Sequence, residues 1–259
     1  MTDMARPFIW YELMSGDPAA AQAFYTAVVG WTPRGAGPDG GAHYTALEVG
    51  GRGVGGIAGI SPEACEQGAR PGWLGYIGVG DADASVAAIE EAGGRTLRAP
   101  DDIPGIGRFA VVADPDGAPF MLLQPIMPEG GWGPSPPRMT PGQIGWRELH
   151  AGDGEAAFAF YSKLFGWTEA GRMDMGPMGI YRLWSSGEDE AVGGMMTGHA
   201  DHRGWLFYFA VDSADAAAAR ITEAGGKVLM GPMEVPDGSW VVQATDPEGV
   251  VFSVVSKER

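Results

Sequence analysis

The sequence holds a single cysteine, Cys65, in 259 residues. One thiol excludes a disulfide framework and a thiolate metal site. No run of 18 or more apolar residues occurs, so no helix that spans a bilayer is expected. The opening MTDMARPFIWYEL has neither an apolar signal core nor a cleavage pattern. These absences predict a cytoplasmic protein without membrane attachment. Basic residues are also few: 17 Lys and Arg stand against 33 Asp and Glu, a net charge of −16. Such a surface repels phosphate backbones, so nucleic acid is not expected as a partner. Residues 1–125 and 126–259 each come to −8, so the excess is spread and forms no acidic tail.

Glycine and proline are plentiful, at 43 and 20 residues, and lie between hydrophobic segments along the whole chain. That distribution predicts many short strands and tight turns. The sequence also repeats itself. IWYELMSGDPAAAQAFYTAVVGWTP, 9–33, matches GWRELHAGDGEAAFAFYSKLFGWTE, 145–169, with Glu12, Asp17, Tyr25 and Trp31 each 136 residues before Glu148, Asp153, Tyr161 and Trp167. Further on, DASVAAIEEAGGRTLRAP, 83–100, matches DAAAARITEAGGKVLMGP, 215–232, and DPDG, 114–117, matches DPEG, 246–249, at a spacing of 132. A period of this size marks a duplicated domain and not a solenoid. Between the copies, 126–142 reads IMPEGGWGPSPPRMTPG, an extended, semi-rigid linker. The expected domains are therefore 1–125 and 143–259.

Within copy one, FIWYELM at 8–14 reads as a strand. Asp17-Pro18 is a helix start, with Asp as N-cap and Pro in the first turn. Ala21, Phe24, Tyr25 and Val28 then form a buried stripe, and Gly30 ends the helix. Strands are expected at 43–49, 53–60 and 73–79, and a second helix over 82–92. Strands at 95–98, 107–113 and 119–124 follow, the last after the DPDG turn. Each copy thus reads as two strand–helix–strands modules.

An FY-x-x-x-x-GW helix after the first strand, a later AGG, and DP-[DE]-G before the last strand, in order and twice, resemble the vicinal-oxygen-chelate superfamily of glyoxalases, bleomycin resistance proteins and extradiol dioxygenases. The resemblance covers nearly the whole chain outside the linker. Both copies also open with W-x-E-L (Trp10 to Leu13, Trp146 to Leu149), which is similar to tandem-domain glyoxalase-like proteins. It implies an α+β fold of two tandem domains, each of two βαβββ modules forming a cupped mixed sheet. It does not by itself fix the chemistry, because that superfamily hosts isomerases, lyases, dioxygenases and drug-sequestering proteins.

Active members hold a divalent metal through about four His or Glu side chains inside the cup. The resemblance puts the first of these at Trp10 and Trp146, the third at Leu74 and Leu206, and the last at Met121 and Ser253. The second falls in GVGGIAGI or AVGGMMTG, which contain no ligand type. No complete set is present, so the expectation is no metal cofactor. His199 and His202, spaced HxxH, are a weak signal without a third partner, and His43 reads as a surface residue.

Strand alternation sets Trp10, Glu12 and Met14 on one face, and Trp146, Glu148 and His150 on the equivalent face. Glu12, Glu148 and His150 are the candidate acid–base groups; alternatively the carboxylates satisfy backbone N–H groups or an arginine such as Arg147. Trp10, Trp146, Tyr44, Tyr76, Tyr181, Tyr208, Met121 and Ser253 are candidate ligand-binding residues, with ordinary core packing as the other reading. Trp73 and Trp205 repeat as well. Copy two is rich in methionine (Met173, Met175, Met178, Met195, Met196, Met230 and Met233), which suits an adaptable pocket or a core filler. Cys65 reads as a loop residue. A non-catalytic scaffold with solid, filled cups is one reading, and two further function classes remain open. One is a protein that binds a small aromatic or dicarbonyl-type molecule without metal. The other is an enzyme, either a lyase or isomerase using Glu148, His150 or Glu12, or a metal-dependent glyoxalase or dioxygenase with displaced ligands. The expected partner is a small molecule, with the chain a monomer or homodimer. Copy two is the expected site, because Ser253 replaces Met121 and His150 replaces Met14.

Overall fold

The computed structural model describes residues 6–35, 44–66, 68–127, 129, 136–198 and 203–259. Copy one runs β1 (Phe8–Ser15), α1 (Pro18–Val29), β2 (Thr32–Gly35), β3 (Tyr44–Val49), β4 (Arg52–Gly59), α2 (Pro62–Glu66), β5 (Gly72–Gly78), α3 (Ala82–Glu91), β6 (Arg95–Ile103), β7 (Gly107–Ala113) and β8 (Pro119–Pro125). Copy two runs β9 (Ile144–Ala151), α4 (Gly154–Phe165), β10 (Thr168–Asp174), β11 (Ile180–Ser185), β12 (Gly193–Thr197), β13 (Gly204–Ala210), α5 (Ala214–Glu223), β14 (Lys227–Glu234), β15 (Trp240–Thr245) and β16 (Val251–Ser256). Each copy builds one eight-stranded mixed sheet, ordered β2-β3-β4-β1-β5-β8-β7-β6 and β10-β11-β12-β9-β13-β16-β15-β14. The fold is the α+β architecture expected from the repeat. Among the described residues no helix is long and apolar enough to cross a membrane.

Local chemistry sets the helix ends. Asp17 and Asp153 accept from backbone N–H groups in the first turns of α1 and α4, and Gly30 and Gly166 close them with φ of 84° and 69°. The stripe Ala21, Phe24, Tyr25 and Val28 is buried as the periodicity predicts. Four expectations need correction. β6 runs to Ile103 and not only to 98: register shifts between Thr96 and Arg98 and between Arg98 and Asp101 absorb the strand-breaking Pro100. β2 and the five-residue α2 are additional elements, too short for periodicity to reveal. Cys65 lies on α2, exposed, and not in a loop. Of the linker, the described residues 126–127, 129 and 136–142 hold neither helix nor strand.

Packing divides the chain into two compact units. One is Met1–Trp10, Leu74–Ser135 and Arg147–Trp205; the other is Tyr11–Trp73, Pro136–Trp146 and Leu206–Arg259. Each unit therefore takes one module from each copy. The repeated motifs hold these pairs. In the second unit the Tyr25 hydroxyl donates to Asp246 Oδ2 at 3.1 Å and accepts from Trp73 Nε1 at 2.9 Å. Asp246 Oδ1 accepts from the Glu248 and Val250 N–H groups of its own turn. Glu248 accepts from Ser15 Oγ and from the N–H groups of Gly16 and Asp17 ahead of α1. The first unit repeats this: Tyr161 donates to Asp114 at 3.2 Å and accepts from Trp205, and Asp116 accepts from the Gly152 and Asp153 N–H groups. Burial, with the neighbouring Asp246 or Asp114 charge, pushes the Tyr25 and Tyr161 hydroxyls up, and burial likewise raises the Asp114 and Asp246 carboxyls.

Candidate functional site

The positions that the family resemblance gives to metal ligands are packed in hydrocarbon. In the first unit Trp10, Leu74 and Met121 share a cluster with Tyr76, Phe109 and Leu123. An indole, an isobutyl group and a thioether offer a divalent cation no imidazole or carboxylate, so these residues do not fit the family's metal. In the second unit Trp146 packs against Leu206, Tyr208, Val241 and Val255, and the Arg138 guanidinium lies 5.2 Å from its ring centroid. Ser253 pairs with Tyr208 in register, fully buried, and its hydroxyl has no hydrogen-bond partner among the described residues. One hydroxyl does not supply the ligand set of a divalent cation either. Among the described residues no group of three or more His, Cys, Asp or Glu side chains could hold a metal. His43, His199 and His202 lie outside the described residues.

The polar chemistry gathers instead on β9. Alternation sets Glu148 and His150 on one face, and β12 lies parallel beside it with Gly194 opposite Glu148 and Met196 opposite His150. His150 Nε2 is 2.6 Å from Glu148 Oε1, and the Tyr181 hydroxyl donates to Glu148 Oε2 at 2.6 Å. Both carboxylate oxygens are thus engaged. The Glu148 side chain is 11% exposed and that of His150 21%, so the imidazole is the more accessible partner. A methyl group on Gly194 would overlap the Tyr181 hydroxyl and ring, so the glycine leaves the space through which Tyr181 reaches Glu148. Copy one keeps part of this arrangement: Glu12 is buried, Gly56 is its register partner, and a methyl on Gly56 would overlap Tyr44. It has Met14 where copy two has His150. The Gly-Gly pair shared by GVGGIAGI and AVGGMMTG was the sequence signal for this tyrosine–glycine contact.

The other candidates separate. Tyr76 and Tyr208 are buried in the two apolar clusters, while Tyr44 and Tyr181 are half-buried on their strands. Trp73 and Trp205 are core donors to Tyr25 and Tyr161. The methionines do not form one lining: Met195 is fully buried, Met173, Met175 and Met196 are half-buried, and Met178, Met230 and Met233 are exposed. A residue without a sequence signal is Arg182, on the opposite face of β11. Its buried guanidinium bridges Glu155 and Glu169 and lies 4.5 Å from the Phe158 ring centroid. The cavity beside it, lined by Gly154, Glu155, Ile180, Arg182, Met195 and Thr197, is about 140 Å³. That is below the roughly 300–1,000 Å³ of ordinary ligand pockets, so it does not suit an aromatic ligand.

Comparison with known proteins agrees with this architecture. The family model of the Glyoxalase/Bleomycin resistance protein/Dioxygenase superfamily matches residues 8–122 and 143–254, and the chain belongs to that superfamily. It is 35% identical over 253 residues to CFP32 of Mycobacterium tuberculosis, provisionally named a glyoxylase, covering 95% of this chain and 93% of that protein. It is 33% identical over 259 residues to the anthracycline biosynthesis protein DnrV of Streptomyces peucetius, covering 95% of this chain and 91% of that protein. Among solved structures it superposes on the Mn(II)-bound glyoxalase of Novosphingobium aromaticivorans with a TM-score of 0.64 at 17% identity, over 99% of this chain and 83% of the other. A variant of homoprotocatechuate 2,3-dioxygenase from B. fuscum gives 0.66 at 13% identity, over 100% and 74%. At such identities the structural matches speak for fold alone.

Proposed function

We propose that this protein binds a planar, oxygen-bearing aromatic molecule in its second copy, with Glu148, His150 and Tyr181 as the polar contacts, and that it does so without a resident metal. The observation that carries this reading is the hydrogen-bonded array of Glu148, His150 and Tyr181 on β9 and β11. An aromatic ligand is favoured over a small dicarbonyl by the relatives. Two Streptomyces proteins named for anthracycline biosynthesis match 95% of this chain at 33% and 32% identity. Phenol and quinone oxygens are partners for the exposed edge of an imidazole, and pockets for such ligands combine broad apolar walls with few polar groups.

The test is a titration of purified protein with 1,8-dihydroxyanthraquinone, followed by calorimetry. Saturable binding is expected, weakened by Tyr181→Phe and by Gly194→Ala, which displaces the tyrosine ring. No binding, or binding indifferent to both changes, overturns the reading. Elemental analysis of the same samples is expected to find no stoichiometric Mn, Fe, Ni or Zn; about one such metal per chain would restore the metal-dependent alternative.

A further inference from the structure

We propose that copy two carries a second binding site, in which Arg182 takes a small aliphatic monocarboxylate into the cavity lined by Gly154, Glu155, Ile180, Met195 and Thr197. The site does not depend on the aromatic ligand proposed above. The argument begins at the guanidinium. The Arg182 side chain is 8% exposed, and its guanidinium lies over the Phe158 ring at 4.5 Å, which leaves the edge of the group for hydrogen bonds. An arginine edge presents Nε–H and one Nη2 hydrogen side by side, spaced to meet the two oxygens of one carboxylate. Here that fork is half filled. Glu155 Oε1 accepts from Nη2 and Glu169 Oε2 accepts from Nη1, whereas Nε is buried and has no hydrogen-bond partner among the described residues. Buried donors are ordinarily satisfied, and this one belongs to a residue that lines a cavity.

The cavity sets the size of the ligand. Its volume of about 140 Å³ is well above the roughly 10–15 Å³ that one water requires, and it is below that of ordinary ligand pockets. Acetate, or an acid with a few more carbons, matches that space. Ile180 and Met195 offer apolar wall to its alkyl group, and the Thr197 hydroxyl is held by the Gly154 N–H at the start of α4. Charge decides which group gives way. Arg172 engages both oxygens of Glu169, at 2.8 and 2.9 Å, so Glu169 stays. The Glu155 side chain is 68% exposed and turns to solvent at modest cost. The incoming carboxylate then takes Nε and Nη2 together, and the number of negative groups on Arg182 is unchanged. Copy one has no counterpart. Thr45, opposite Ile57, stands where Arg182 stands opposite Met195, and Ala19 and Pro33 stand where the repeat puts Glu155 and Glu169.

The experiment titrates the full-length protein with sodium acetate at constant ionic strength and follows the arginine Nε–H signals by proton–nitrogen NMR. The Arg182 signal, assigned through its backbone, is expected to move downfield and to saturate in the millimolar range. Glu155→Ala removes the competing carboxylate and is expected to bind acetate roughly tenfold more tightly. Arg182→Lys keeps the charge but has no fork, and it is expected to abolish binding. That variant alters a buried ion pair, so Glu155→Ala, at an exposed side chain, decides the question should Arg182→Lys fail to fold. Glu155→Ala that binds acetate no more tightly than the unaltered protein overturns the proposal. So does an Arg182 Nε–H signal that stays in place at saturation, or binding retained by a folded Arg182→Lys. Sodium chloride at the same concentration is expected to leave the signal where it is, and a shift of equal size with chloride would refute the assignment to a carboxylate.

Discussion

Single side chains carry both the core and the candidate site, and the same residue types do different work in each. Tyr25 and Tyr161 are buried links between a turn aspartate and a tryptophan, whereas Tyr181 orients a carboxylate. Tyr161→Phe would leave Asp114 Oδ2 and Trp205 Nε1 without their hydroxyl partner, at a cost of about 1–3 kcal/mol, to be measured by urea denaturation. Tyr25→Phe should match it, because Asp246 and Trp73 stand in the same relation. Burial raises Asp114 and Asp246 above the ordinary carboxylate value of about 3.9. The folded state therefore holds these protons more tightly than the unfolded chain. The stabilisation is complete below the unfolded value and is lost as pH rises through the raised native one. The stability advantage of the unaltered protein over Asp114→Asn should accordingly be larger at pH 4 than at pH 7. Equal differences at both pH values would contradict this assignment. The sequence made Glu12, Glu148 and His150 visible by alternation along a strand. It could not show that Arg138 covers Trp146 or that Tyr181 reaches Glu148, because both depend on pairings remote in sequence.

At the scale of elements, the recurrent DP-x-G string has two mechanical tasks. Its first acid organises its own turn and receives the tyrosine, and its third residue reaches the chain just ahead of a helix. Glu248→Ala should release three donors, from Ser15, Gly16 and Asp17, and cost about 1–2 kcal/mol, comparable to loss of a helix cap. Protection of the α1 amides in hydrogen exchange should fall with it, and unchanged exchange at 16–20 would argue against the clasp. Strong elements were legible because their signals are local: an Asp-Pro start, a 3.6-residue stripe, a glycine stop. The edge strands β6 and β14 were legible only in part, since their register shifts break the two-residue period that identifies a strand.

For the whole molecule, the duplication visible in sequence differs from the division made by packing. Sheets follow the copies, but each compact unit joins a module of copy one to a module of copy two. A fragment ending before the linker has Tyr25 without Asp246, and Asp114 without Tyr161. Expressed alone, residues 6–125 should therefore not form a stable monomer. They should aggregate or pair with a second copy of themselves, since Asp114 of one fragment can serve Tyr25 of another. Co-expression with 136–259 should recover a one-to-one complex with the circular dichroism of the intact chain. A monomeric, cooperatively folding fragment in size-exclusion chromatography and thermal melts would contradict this.

That mixed parentage of the units also bears on symmetry. In an assembly of two identical chains, any substitution occurs at both equivalent positions, and a change that suits one site must be tolerated by the other. Fusing the partners into one polypeptide removes that coupling. The Met14 position can remain apolar while its counterpart becomes His150, with no change to the scaffold that both share. Joining also makes folding independent of concentration, because the partner is always attached. A single chain of this kind can hold one half constant as support while the other half acquires chemistry.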